Sequence, residues 1–251
     1  MKVILQCPVS AAGVPALSRK RPLVLSPFLG ETVLAHTLAG LSGEGAKHIC
    51  LQAGDRTAEV LRAVGAGEIW GLKITGPDER EFAGARRFVL DSLPQAPGLP
   101  LWTSYSHWFD AQMALLERMA RQRVGMRELS PGVYVGLRTR LAPDARLTGP
   151  LWIGDNVFIG PGAVVGPRAV VEDDSYLDDG SEVVESIVGP ATYAGSFTEL
   201  RRSFAWGREL LQLDTGSLTE VQDRFLLSDA TPPKFSLTRL WKQWRQRFSR
   251  P

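Results

Sequence analysis

The stretch that decides the fold runs from Val135 to Val188 and divides into nine hexads: VGLRTR, LAPDAR, LTGPLW, IGDNVF, IGPGAV, VGPRAV, VEDDSY, LDDGSE and VVESIV. Each hexad opens on an aliphatic residue: Val135, Leu141, Leu147, Ile153, Ile159, Val165, Val171, Leu177 and Val183. Four positions later stand mostly small or apolar residues, from Thr139, Ala145 and Leu151 through to Ile187. The position just after the aliphatic is rich in glycine in the middle of the run, at Gly154, Gly160 and Gly166. A helix repeats every 3.6 residues and a strand every two, so neither explains a period of six. A triangular prism does. Each hexad is a short strand and a bend, three hexads close a coil, and the aliphatic points to the axis. Coils then stack with strands about 4.8 Å apart. The nine hexads predict three coils. The register is expected to slip near Gly189-Pro190 and resume at Ala194, Leu200 and Trp206 as a fourth, irregular coil.

The first ninety residues follow another rule. Strands are expected at Lys2–Gln6, His48–Gln52 and Leu72–Thr75, and helices at Glu31–Leu41 and Thr57–Val64. This alternation predicts an α/β unit with a parallel sheet. Asp91–Thr103 is rich in Pro and Gly. Trp108–Arg123 reads as a helix bridging sheet and prism. The expected division is 1–104 for the α/β unit, 105–130 for the bridge, 131–218 for the prism and 219–251 for a C-terminal extension.

The 251 residues are 44% hydrophobic and 22% charged, the balance of a globular protein. A net charge of +2 argues against nucleic acid as a partner. No apolar run reaches membrane-spanning length, and the N-terminus lacks the apolar core of a signal peptide. Cys7 and Cys50 read as buried, reduced residues of a cytoplasmic chain.

An α/β unit followed by a hexapeptide prism resembles the bacterial sugar-1-phosphate nucleotidyltransferases that carry a left-handed β-helix. Arg21-Pro22-Leu23-Val24-Leu25-Ser26-Pro27 is similar to that family's R-P-K-P-L-x-P stretch, and Gly30–Leu38 to the helix after it. Asp55–Glu59 through Trp70–Ile74 resembles the next helix and strand. The resemblance implies a Rossmann-like nucleotidyltransferase sheet and a left-handed helix. It makes Arg21 and Asp91 the catalytic candidates and Gln6, Ser10 and Gly13 the nucleotide-binding ones. Mg²⁺ is implied if the chain is active; otherwise no cofactor is expected. The departures are chemical. The family's glycine-rich phosphate loop reads Gln6-Cys7-Pro8-Val9-Ser10-Ala11-Ala12-Gly13-Val14-Pro15 here, with one glycine and two prolines that offer no N–H. The family's lysine is Leu23. Asp91 lacks the glycine that precedes the family's metal-binding aspartate. The expectation is a truncated, degenerate relative that binds or scaffolds in nucleotide-sugar or polysaccharide biosynthesis. An active enzyme with an atypical site is one alternative. A hexapeptide-repeat acyltransferase is another, with a base drawn from His36, His48 or His107. His36 and His48 read as surface residues, and His107 as able to reach the first coil.

Two charged regions remain. Asp155 and Asn156 should lie one strand spacing from Asp173 and Asp174, where carboxylates repel unless a hard cation joins them. A solvated corner is the plainer expectation, with no metal. In the tail, residues 234–251 hold six basic residues and no acidic one. Trp241, Trp244 and Phe248, with Lys242 and Arg245 alongside, are expected to contact an anionic membrane surface or a partner protein of the polysaccharide pathway, or else to cap the prism. Other partners expected are a nucleotide or nucleotide-sugar, and a second copy through the β-helix. The location expected is cytoplasmic, peripheral to the inner membrane.

Overall fold

A computed structural model describes residues 1–119 and 125–230. In the N-terminal part, four parallel strands line up in the order Lys73–Thr75, His48–Gln52, Lys2–Gln6, Arg86–Val89. The first strand is therefore central, and the chain adds strands on one side before crossing to the other. Val3 and Leu5 are fully buried, as a sheet covered by helices requires. The helix Val33–Gly43 starts two residues later than its apolar spacing predicts. Glu31-Thr32 pairs instead with Pro27-Phe28 in a hairpin, and the Thr32 side chain caps the helix by accepting from Ala35 N–H at 3.1 Å. That hairpin also corrects the reading of His36 as a surface residue. Phe28 folds over it, the His36 Nε2–H donates to Phe28 O at 2.7 Å, and the ring is buried.

The prism is present as three stacks of parallel strands, a β-helix of four coils and the start of a fifth. The first face holds Val133–Val135, Leu151–Ile153, Ala169–Val171, Ile187–Val188 and Ser203–Trp206. The second holds Arg140–Leu141, Phe158–Ile159, Tyr176–Leu177 and Thr192–Ala194. The third holds Arg146–Leu147, Val164–Val165, Glu182–Val184 and Glu199–Arg201. At the corners stand residues with left-handed backbone: Arg138, Asn156, Asp174 and Ala191 form one column of such positions. Seven of the nine predicted axial residues are 3% exposed or less. Each contributes about 1.5–3 kcal/mol by burial. Leu141 and Leu147 are only half-buried, because the first coil has no coil before it.

The slip occurs earlier than predicted. Leu151 pairs with Ala169, eighteen residues on, but Val170 pairs with Ile187, seventeen on. One residue is missing from the corner that carries Glu185, and the axial series continues at Val188, Ala194, Leu200 and Ala205. Trp206 is thereby turned out of the axis and packs against the N-terminal part. Antiparallel strands close the far end: Glu209–Gln212 and Leu218–Glu220 extend the first face, and Leu227–Asp229 the second.

The two parts share one core. The outward column of the first face, Tyr134, Trp152, Val170, Ile187 and Phe204, is 0–5% exposed and belongs to the same apolar cluster as Leu5 and Leu34. The helix Tyr105–Met119 lies at this junction. Its Trp108 is fully buried, with its ring 5.3 Å from Phe204 and 6.2 Å from Phe28. The expected extension of this helix to Arg123 lies outside the described residues.

Candidate functional site

In an open parallel sheet, ligands bind beyond the carboxyl ends of the strands, where the strand order reverses. Here that point lies between Lys2–Gln6 and Arg86–Val89. The loop Cys7–Pro15 leaves from it, and Asp91 follows the second strand. The chain itself occupies this mouth. Leu101 N–H donates to Asp91 O at 2.8 Å, and the Trp102 indole N–H donates to Leu90 O at 2.6 Å. On the other side, a Cβ placed on Gly13 would lie 2.0 Å from Thr103 O and 2.5 Å from Trp102 O. Segment 101–103 thus bridges the first loop and the end of the fourth strand. Gly13 is required here by backbone contact with the chain itself, whereas the resemblance implies a glycine that makes room for phosphate.

The other residues of this mouth are turned to local tasks. Gln6 Nε2 donates to Gln52 Oε1 at 3.1 Å. Ser10 is exposed. Asp91 is exposed and accepts from Ser92 Oγ at 3.2 Å. Burial pushes the Cys7 thiol up to about 12, which leaves it protonated and unreactive at neutral pH. Among the described residues, no group of three or more acidic, histidine or cysteine side chains is placed to hold a metal ion.

Arg21 stands away from this mouth, at the junction with the prism. Its guanidinium lies 4.8 Å from the Trp206 ring, and the Lys20 ammonium lies 4.7 Å from the same ring. Lys20 Nζ also donates to Trp206 O at 2.7 Å and pairs with Glu209 at 3.5 Å. Burial lowers the Arg21 pKa, opposed by the charge of Glu59. Arg21 lines a notch of about 240 Å³ with Pro27, Gly30, Glu31, Thr32, Glu172, Asp173 and Pro190. The turn Leu29-Gly30, both with positive φ, presents the Gly30 N–H to Glu172 Oε2 at 2.6 Å. Glu172 is 2% exposed, so this bond ties the hairpin to the third coil. Arg21 and Asp173, predicted for separate tasks, line this one notch. A second notch collects Gly13 with Ser104, Tyr105 and Asp214. There Arg202 holds the Asp214 carboxyl below its ordinary range.

The acidic corner is a hydrogen-bonded ladder, which corrects the reading of mutually repelling carboxylates. Asp155 Oδ1 accepts from Leu137 N–H at 2.8 Å, and Asp173 Oδ1 from Asp155 N–H at 2.7 Å. Asn156 Nδ2 donates to Asp174 Oδ1 at 2.6 Å. Backbone amides of the preceding coil thus offset the negative charge. Side chains at Gly136 and Gly154 would sit 2.3 and 2.2 Å from these carboxylate oxygens, so the glycines make the ladder possible.

His107 also departs from expectation. It stands at the start of the junction helix, where Ser106 Oγ donates to Leu213 O and Trp108 meets Phe204, beside the last coils and not the first. Its ring is exposed, with Nδ1 2.8 Å from Ser104 Oγ. Trp241, Lys242, Trp244, Arg245 and Phe248 lie outside the described residues. Among the described residues, no helix is long and apolar enough to cross a membrane. Glu172 and Trp206 were not singled out from sequence as site residues. The signal that finds Glu172 is the column of every third hexad, Gly136, Gly154, Glu172, in which one buried acid replaces glycine; Trp206 enters that column only through the seventeen-residue coils after it.

No protein-family model matches the chain, and no curated protein matches it. Among solved structures it is similar to a perosamine N-acetyltransferase from Caulobacter crescentus, a mutant in complex with CoA and GDP-perosamine. The identity is 14%, over 87% of this chain and 96% of that one, with a TM-score of 0.18. The fold described above rests on strand pairing and burial, and not on that likeness.

Proposed function

We propose that the chain is a binding or scaffold protein of bacterial nucleotide-sugar or polysaccharide biosynthesis, built on a nucleotidyltransferase-like plan without the transfer chemistry. The observation that carries this reading is the mouth of the sheet, held by segment 101–103 against Gly13. Nucleotidyl transfer depends on positioning the phosphates and neutralising their charge. A phosphate at that mouth would have to displace the chain's own backbone and would find two prolines in place of N–H donors. The ligand surface in this reading is the junction notch. Its Arg21 suits a diphosphate, and its carboxylates suit the hydroxyls of a sugar. Calorimetric titration with nucleotide-sugars, nucleoside triphosphates and coenzyme A tests the proposal. Saturable nucleotide-sugar binding, weakened about tenfold or more in Arg21→Ala, is the expected result. Pyrophosphate release would overturn it.

Acyl transfer is a second reading, favoured by one observation: His107 is exposed with Nδ1 2.8 Å from Ser104 Oγ, and in the tautomer whose Nδ1–H donates to that oxygen, Nε2 is left to act as a base. Coenzyme A binding together with acyl transfer lost in His107→Ala would select it. For the basic tail, association with anionic membranes remains the proposal. Vesicle co-sedimentation of the full chain against one ending at Pro233 tests it, and equal supernatant fractions at low salt would refute it.

A further inference from the structure

The helix Tyr105–Met119 lies in the seam between the N-terminal part and the prism, and its middle turns are buried on several sides. Trp108, Phe109, Ala111, Met113, Leu115 and Leu116 are each 2% exposed or less. Such a run forms the core of the seam and suits apolar residues. Gln112 stands in the middle of it, fully buried.

Neither end of the Gln112 amide has a partner in the chain. Its Nε2 finds no acceptor and its Oε1 no donor among the described residues. The Trp108 indole N–H, four residues earlier, finds no acceptor either. A spacing of four brings the two side chains to one side of the helix, one turn apart. Elsewhere the N-terminal part meets such needs from within itself. The Trp102 indole N–H donates to Leu90 O at 2.6 Å, and Gln95 Nε2 donates to His36 O at 2.7 Å. Unmet polar groups inside a folded protein are costly, and two neighbours on one helix face concentrate that cost.

The chemistry of these groups identifies what they take. The indole N–H, the amide NH₂ and the amide carbonyl are all neutral, and the residues beside them on the helix are apolar. A charged ligand would leave water with no counter-charge to receive it. An apolar ligand would leave all three groups unmet. The molecule that both donates and accepts, and is small enough for the core of a seam, is water. We propose that Trp108 and Gln112 form the binding site of a resident water, which accepts from the Trp108 indole N–H and donates to Gln112 Oε1. Internal waters are held by two to four such bonds, and Gln112 Nε2 supplies a further donor to this water or to a second one. Gln112 is then kept for the water, and an apolar residue in its place does not improve the core.

Water-selected nuclear Overhauser spectra of the isotope-labelled full chain test this. The Trp108 indole proton is assigned by its loss in Trp108→Phe. The expected result is a cross-peak from that proton to long-lived water, opposite in sign in the laboratory and rotating frames. It should vanish in Gln112→Leu while the indole signal itself remains. Thermal melts give a second reading. Gln112→Leu and Gln112→Met should each lower the melting temperature by a few degrees, because the water and Trp108 lose a partner. Gln112→Met keeps the unbranched shape and serves in place of the leucine variant if circular dichroism shows that one unfolded. Three outcomes would overturn the proposal. The first is no cross-peak to water at the Trp108 indole. The second is a cross-peak that persists without the Gln112 amide and so arises from a neighbouring hydroxyl. The third is a melting temperature that rises in the variants, which means that the native state carries the amide unmet.

Discussion

The backbone of Gly13 rests directly on that of Thr103: a Cβ on Gly13 would lie 2.0 Å from the Thr103 carbonyl oxygen. Neither atom belongs to a flexible side chain, so one segment must move if the glycine is replaced. Gly13→Ala should therefore destabilise the protein by about 1–3 kcal/mol, the range for overpacking a closed site. Denaturant melts measure it. A glycine kept open for a phosphate would show the opposite profile, with unchanged stability and altered nucleotide affinity.

The bond from Gly30 N–H to the buried Glu172 carboxylate joins the hairpin to the prism. Glu172→Ala removes this charged acceptor from the junction. A cost of about 1.5–3 kcal/mol is expected. Proteolysis or hydrogen exchange should show the loss first around residues 27–32, with the prism still protected.

Axial burial predicts a gradient along the prism. Ile159 is fully buried in the second coil, whereas Leu141, its neighbour in the first, is half-buried. Ile159→Asp should cost several kcal/mol, enough to unfold a marginal domain. Leu141→Asp should cost markedly less, because its carboxylate reaches water. Equal melting temperatures for the two variants would contradict the register.

The prism was legible in the sequence because a six-residue period with an aliphatic at each step has no rival among helices or ordinary strands. The slip was not. A missing residue at a corner leaves hydrophobicity almost unchanged: Val188 moves in, Trp206 is large and apolar, and nothing in its sequence position distinguishes the axis from a domain junction. The eighteen-residue column Tyr134, Trp152, Val170 was readable but goes unnoticed at a period of six, and it is what places the N-terminal part on the first face. In that part, the strands Lys2–Gln6 and His48–Gln52 and the helix Thr57–Val64 appear as predicted. The glycine-poor loop Cys7–Pro15 was also visible. Its contact with segment 101–103 was not, because that contact joins residues ninety apart through backbone atoms with no periodic signal. At the acidic corner the stacking of Asp155 and Asn156 beside Asp173 and Asp174 was legible, and the bonding that holds it was not. Sequence gives charges, but the amides that offset them belong to the coil before.

Tyrosine ionisation offers a test that uses no variant. Burial, then the charges of Asp178 and Asp179, push Tyr176 up to about 12, and burial together with the Asp178 hydrogen bond raises Tyr193 further. Burial also raises Tyr105. The folded protein keeps these protons while the unfolded chain, ionising near pH 10, releases them. Stability is therefore full below about pH 10 and falls as pH rises from there through the folded-state values. Phenolate absorbance should lag behind that of denatured protein, with Tyr105, Tyr176 and Tyr193 late. A single transition near pH 10 with the fold intact would contradict the described packing.

The mouth of the sheet, where a nucleotidyltransferase would hold its phosphates, is filled by the chain's own backbone. The most direct test is pyrophosphate release by the folded full chain, assayed with Mg²⁺, the common nucleoside triphosphates and a panel of sugar 1-phosphates. No turnover above background is expected, with the same sample binding nucleotide-sugar by calorimetry. Turnover near one per second or faster, abolished in Arg21→Ala, would contradict it.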